Sequence, residues 1–107
     1  MIFTETRGND GTRDARVSFS AALLSPIASF GGIYSPETMP ALGPEFLAEH
    51  LPSSYKELAL ALLQHLDIDI DTQTLQQALN LYDRFDDATD PVPVVRLDER
   101  LFVSELY

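Results

Sequence analysis

Residues 17–40, VSFSAALLSPIASFGGIYSPETMP, decide how the chain is laid out. Ser18 is placed to cap a helix beginning at Phe19, because its hydroxyl can accept a backbone N–H that the first turn leaves unpaired. Pro26 ends that helix, since it has no N–H to donate and clashes with the preceding turn. Gly31-Gly32 permits a tight turn through backbone angles closed to other residues. Ile33-Tyr34-Ser35 then extends until Pro36 and Pro40 close the run. A short helix, a glycine turn and a short strand thus follow one another almost without connecting residues.

Working outward toward the N-terminus, Ile2-Phe3-Thr4 is β-branched and aromatic and predicts a short strand. Residues 8–14, GNDGTRD, form a polar, turn-rich loop. Toward the C-terminus, Gly43-Pro44 opens a second helix with proline at the first helical position, where its missing N–H costs nothing. Phe46, Leu47 and Leu51 are expected on its inner face, and Pro52 ends it. Ser54 and Glu57 have the capping-box spacing and start a third helix. Tyr55, Leu58, Ala59, Leu62, Leu63 and Leu66 recur there at helical spacing and predict one buried face. Asp71 caps a fourth helix with Leu75, Ala78, Leu79 and Tyr82 as its apolar stripe, extended by Phe85. The short link between the third and fourth helices predicts an antiparallel pair. Residues 93–97 (PVVRL) and 101–107 (LFVSELY) read as two strands, with Asp98-Glu99-Arg100 as the turn between them. The expected fold class is α+β: a small helix-rich domain of about four helices with short N-terminal strands and a C-terminal β-hairpin.

Composition bounds what such a chain does. Its 107 residues suit one domain with one modest core. Seventeen acidic residues against seven basic give a formal net charge of −10, which repels nucleic-acid phosphates and anionic membranes. The absence of cysteine excludes disulfides, thiolate metal sites and cysteine nucleophiles. The N-terminus lacks the basic head and apolar run of a secretory signal. The longest apolar run, residues 58–63, is far short of the ~20 residues that span a bilayer. A cytoplasmic protein without nucleic-acid or membrane partners is the expectation.

The residue patterns that could carry chemistry all have plainer readings. Asp67, Asp69 and Asp71 open like a calcium loop, but the required glycine and glutamate positions hold Thr72 and Ala78. Helix capping and solvated turn carboxylates explain them better. His50 and His65 lie near the C-terminal ends of different helices, where a cation favours the helix dipole, and no metal spacing joins them. Gly31-Gly32 precedes a strand rather than a helix N-terminus, so it reads as a turn and not a phosphate loop. Ser18, Ser20 and Ser35 have no base partner in sequence and read as cap and turn residues. Lys56, the only lysine, sits in a capped first turn with nothing to desolvate it.

The order of short motifs resembles the N-terminal domain of the threonine synthase family. Thr6-Arg7-Gly8 is followed by Val17-Ser18-Phe19-Ser20 with Ala22-Leu23-Leu24, then Gly31-Gly32-Ile33-Tyr34 with Pro36-Glu37, then Met39-Pro40. The helical middle and the closing residues 94–107 are similar too. Pro26, Ser29-Phe30 and Met39 depart from the family pattern. The resemblance implies a pyridoxal-phosphate lyase that converts O-phospho-L-homoserine and water into L-threonine and phosphate. In the family a lysine carries the cofactor as a Schiff base, in a segment that directly follows residues like Glu105-Leu106-Tyr107. The expectation is therefore a fragment, inactive alone. Residues 1–90 form the N-terminal domain, and residues 91–107 are hairpin strands leading into a missing pyridoxal-phosphate domain, which is the expected partner.

No catalytic, cofactor-binding or metal-ligating residue of the family maps onto residues 1–107, and the substrate contacts stay unassigned. Arg7 has two readings, a structural role in the strand region and an approach to the substrate phosphate, with the first favoured. Set apart from the next domain, Leu101, Phe102, Val103 and Leu106 would expose apolar surface and could drive self-association. The alternative to the whole reading is a free-standing acidic helical interaction module, which accounts for the composition but not for the order of the motifs.

Overall fold

The computed structural model describes residues 1–105. The first layer is a three-stranded antiparallel sheet in the order β2-β1-β3: β1 (Ile2–Glu5), β2 (Arg16–Ser18) and β3 (Tyr34–Pro36). Phe3 lies opposite Val17 on one side and Pro36 on the other. The central strand therefore joins two segments that sequence separation keeps apart. The sequence reading anticipates β1 and β3 but takes Arg16 and Val17 for neither; β2 becomes a strand because β1 offers it an edge. Arg16 then reaches across the sheet to Glu37, Nε to Oε1 at 2.5 Å and Nη2 to Oε2 at 2.8 Å.

β2 runs directly into α1 (Phe19–Leu24), whose cap is Ser18 as expected: its hydroxyl accepts from the Ala21 N–H at 3.2 Å. Phe19 packs its ring 5.7 Å from that of Phe3, which seats the helix on the sheet. After Pro26 the chain makes a 3-10 turn at Ser29–Gly31. Phe30 (φ 55°) and Gly31 (φ 69°) take left-handed angles in succession. Glycine adopts this region freely, while a bulky side chain pays of order 1–2 kcal/mol for it. Ala28 and Ser29 are fully buried at this turn. An isolated bridge pairs Ile27 with Ile33 on its far side.

The helical half follows. α2 (Pro44–His50) begins at Gly43 with Pro44 in the first turn. α3 (Tyr55–His65) carries the full capping box: Ser54 and Glu57 satisfy each other's backbone donors. α4 (Thr72–Leu79) is capped by Asp71 and tightens into a 3-10 turn at Asn80–Arg84. α3 and α4 are antiparallel. Near one end Lys56 and Tyr55 meet Asp83 and Tyr82, and at the other Gln64 donates to Thr72. Leu75 and Leu79 are buried between them, and the expected face of α3 is half-buried from Leu58 onward. Five positions expected inside are exposed: Leu47, Leu51, Tyr55, Ala78 and Phe85. Helical periodicity selects a face, but only a neighbour buries it, and α2 meets its neighbour chiefly through Phe46.

The chain closes in a hairpin of β4 (Val94–Arg96) and β5 (Phe102–Ser104), with Val95 opposite Val103. The expected turn residues make it: the Asp98 carboxylate accepts from the N–H groups of Arg100 and Leu101. The second strand is shorter than the expected 101–107, and Leu106 and Tyr107 lie outside the described residues. All six residues of β4 and β5 are exposed, and among the described residues the two strands pair only with each other.

The surface is large for the mass. It measures 7919 Å² for 11.9 kDa, where a free-standing folded chain of that mass exposes roughly 6,000 Å². The radius of gyration, 16.8 Å, likewise exceeds the roughly 13 Å of a compact domain of this length. Two regions account for much of the apolar exposure: the hairpin, and the α1-to-β3 segment with Leu23, Leu24, Ile27, Phe30 and Ile33.

Candidate functional site

Several of the polar groups singled out in the sequence form contacts that join two segments. Asp69 makes the hydrogen bonds of longest reach among the side-chain carboxylates described. Its carboxylate accepts from the Ser20 backbone N–H at 2.9 Å and, through a short bond, from the Ser20 hydroxyl. Ser18 and Ser20 share a further hydroxyl–hydroxyl contact at 3.0 Å. These donors hold the Asp69 carboxyl well below the usual carboxylate range, the Ser20 hydroxyl first among them. The arrangement ties the first turn of α1 to the link between α3 and α4, 49 residues away.

The other two aspartates of the D-x-D-x-D run face different tasks. Asp71 caps α4, accepting from the backbone and hydroxyl of Thr74. Asp67 turns through φ 50°, and its carbonyl accepts from the Met1 amine at 2.6 Å. Their carboxylates do not converge, and among the described residues no group of three or more metal-binding side chains is assembled.

The loop of residues 6–15 folds over the turn at 28–32. Arg13 Nη1 donates to the Ala28 carbonyl at 2.8 Å, and the Asp10 N–H donates to the Ser29 hydroxyl at 3.2 Å. Asp10 itself organises the loop. The Thr12 hydroxyl and N–H, with the Arg13 N–H and Ser29, bring its carboxyl down to about 2. Thr6 and Ile33 exchange bonds through the Thr6 hydroxyl. The stem of Arg7 lies so close to Gly32 that a Cβ there would sit 3.2 Å from Arg7 Cβ and 3.1 Å from the Ser29 carbonyl oxygen. Arg7 thus packs as part of the strand region. Its exposed side chain has no ion pair or hydrogen bond among the described residues.

The two histidines converge on one ring. His50 and His65 tilt against Phe46 at centroid distances of 4.5 and 5.0 Å, and His65 Nε2 lies 3.1 Å from the Ala41 carbonyl oxygen. This is how α2 is held to α3, and a sequence reading of isolated histidines has no means of finding it. Lys56 is held by Asp83, Nζ to Oδ1 at 2.7 Å and Oδ2 at 2.9 Å, and also by Asn80. The hollow beside it is lined by Lys56 itself with Glu57, Leu60, Gln76, Leu79 and Asn80, and holds no arginine. Its one cation is already paired with Asp83 and Glu57 adds an anion, so these residues do not fit the phosphate of pyridoxal phosphate. Tyr55, further along, has its phenol pushed up by the hydrogen bond to Tyr82 at 3.3 Å.

A concave apolar feature lies elsewhere. A hollow of about 340 Å³ lies between Phe3, Phe19, Leu23, Pro26, Ile33 and Tyr34. It sits where α1 crosses the sheet and opens beside the exposed Ile27. No charged side chain lines it. The site is suited to receiving apolar side chains rather than to chemistry. Among the described residues no helix is long and apolar enough to cross a membrane.

Comparison with known proteins assigns this arrangement. Residues 2–81 match the family described as threonine synthase N terminus. A threonine synthase of Methylobacillus glycogenes is 30% identical over 115 residues, covering 99% of this chain and 23% of that protein. The crystal structure of pyridoxal-phosphate-bound threonine synthase from Brucella melitensis superposes with a TM-score of 0.78 at 30% identity, over 98% of this chain and 22% of that one. The chain therefore spans less than a quarter of the length of either relative. With the capped α1, the glycine turn and the antiparallel helix pair all lying inside the matched region, the chain belongs to the threonine synthase family, as its N-terminal domain.

Proposed function

We infer that this chain is the N-terminal part of a pyridoxal-phosphate-dependent threonine synthase, which converts O-phospho-L-homoserine and water into L-threonine and phosphate in the cytoplasm. The observation that carries the reading is the match over nearly the whole chain to less than a quarter of such an enzyme. The lysine that holds the cofactor belongs to the larger remainder. When bound, the cofactor supplies an electron sink for carbanion chemistry. Residues 1–105 contribute no group to that step: the lysine they contain is committed to Asp83. Their part is to pack against the cofactor-bearing domain and help shape or cover its site, with residues 1–90 as the domain proper and the hairpin from residue 91 joining the sheet of the next. Arg7, exposed and without a partner among the described residues, keeps a structural role through its stem on Gly32.

The test is to read the natural gene past the Tyr107 codon and assay its full product. Expected are a continuing frame with a His-Gly-Pro segment followed shortly by Lys-Asp, and phosphate release from O-phospho-L-homoserine that needs pyridoxal phosphate. The 107-residue chain alone is expected to give no turnover and no borohydride-reducible adduct at Lys56. A frame that stops at Tyr107, or a stoichiometric adduct at Lys56, overturns the reading; the first would favour an acidic interaction module.

A further inference from the structure

We propose that the segment of residues 17–36 presents the surface through which this domain docks on the cofactor-bearing body of the same enzyme chain, with Leu23, Pro26, Ile27 and Ile33 at its centre. The proposal rests on the function just argued and adds the docking face, which that function leaves open.

The first observation is electrostatic. In a chain that is 22% charged, residues 17–36 contain no charged residue at all. Depletion of charge marks the buried centre of interfaces, because a charge stripped of water without a partner costs several kcal/mol.

The second observation is geometric. Leu23, Pro26 and Ile33 form walls of the hollow beside α1, and the bridge between Ile27 and Ile33 sets those two opposite each other, so their side chains project to the same side. Leu23, Ile27 and Ile33 are each more than half exposed. A concave apolar feature ringed by exposed aliphatic side chains takes an anchoring side chain from a partner.

The third observation selects the occupant. The whole chain's surface exceeds that of a free-standing chain of its mass by roughly 2,000 Å², in the range of permanent interfaces, and this segment is one of the two regions that carry its apolar exposure. More than three quarters of the relative's chain lies outside the matched part, so a body large enough to cover that area is already tethered to this one. A second copy is the weaker occupant, because each copy brings a net charge of −10 to the encounter.

Hydroxyl-radical footprinting of the full-length holoenzyme tests the face without altering it. Leu23 (61% exposed in this domain) is compared with Leu51 (69%) and Leu81 (54%), which share its intrinsic reactivity and lie outside the segment. Leu23 is expected to be oxidised several-fold less than both. Equal oxidation of the three, whether high or low, overturns the proposal. Turnover of O-phospho-L-homoserine by the same preparation separates the failures. An active enzyme with Leu23 freely oxidised refutes the docking face alone, whereas an inactive full-length protein refutes the function and the face with it. As a second measurement, full-length Leu23→Glu is expected to split one thermal transition into two, while Leu51→Glu keeps one; a single transition in both overturns the assignment.

Discussion

The first three strands and the last two are both short antiparallel sheets, yet only the first has a covered side. In β1 three of four residues are at least partly buried, because α1 lies across the sheet with Phe19 against Phe3. In β4 and β5 every residue is exposed, although turn chemistry and strand propensity are as good there as anywhere in the chain. Local signals form a hairpin, but a two-stranded sheet with no third strand and no helix on it is marginal in water. The body before residue 85 holds itself together through contacts between distant segments: Asp69 with Ser20, Arg16 with Glu37, and Lys56 with Asp83. Among the described residues the strands of the hairpin are paired with each other and not with the first sheet. A region with ties between distant segments has the contacts of a folding unit, and strand pairing alone does not supply them.

Substitutions test this difference, and those inside the tied region should cost the most stability. Leu75→Ala removes one of the few buried side chains between α3 and α4 and is expected to cost about 3 kcal/mol in urea unfolding. A cost near zero would mean that the helix pair does not carry the stability of this body. Gly32→Ala presses a methyl against Ser29 and Arg7, and is expected to destabilise by about 2 kcal/mol. The same change at Gly43, with only the Glu45 side chain in the way, is expected to be milder.

Ser54→Ala removes the hydroxyl half of the capping box on α3 and should lower stability by about 1 kcal/mol in the same assay. Asp69→Asn tests the longest-range tie through pH. The Asp69 carboxyl is depressed in the folded chain, so its contribution is fully present above the ordinary value of 3.8 and is lost as pH falls through the depressed one. The variant should therefore be weaker than the parent above about pH 4, with the two curves converging as the medium becomes strongly acid. Curves that stay parallel to the lowest pH would remove Asp69 as the tie.

The smallest effect is expected in the hairpin. Val95→Asp should shift the unfolding of residues 1–107 by less than about 0.5 kcal/mol, because the side chain is exposed. In the full-length protein the same substitution should be costly if the strand is paired there. A large effect in the short chain would show that the hairpin is already part of its core.

Much of this was legible beforehand because it depends on neighbours in sequence. Ser18, Ser54 and Asp71 cap the helices they were expected to cap, since a cap needs only the next three residues. The Asp98 turn was equally local. The site was less legible. Nothing in the spacing of Asp69 points to Ser20, and His50 and His65 look unrelated until Phe46 lies between them. Family resemblance was readable from the order of the motifs, because that order records the succession of α1, the glycine turn and β3.

By itself, then, the sequence determined the caps, the breaks at Pro26 and Pro52, the helical faces, the hairpin turn and the acidic, cysteine-free character of the surface. These follow from bonds and angles within a few residues, or from composition alone. Only the tertiary structure decided that Arg16 and Val17 become a strand, that Leu47 and Leu51 stay in water, that three neighbouring aspartates serve three different ends, and that an uncharged apolar surface is left open beside α1. Each of those outcomes depends on which distant segment arrives alongside, and burial is a property of the pair rather than of either residue.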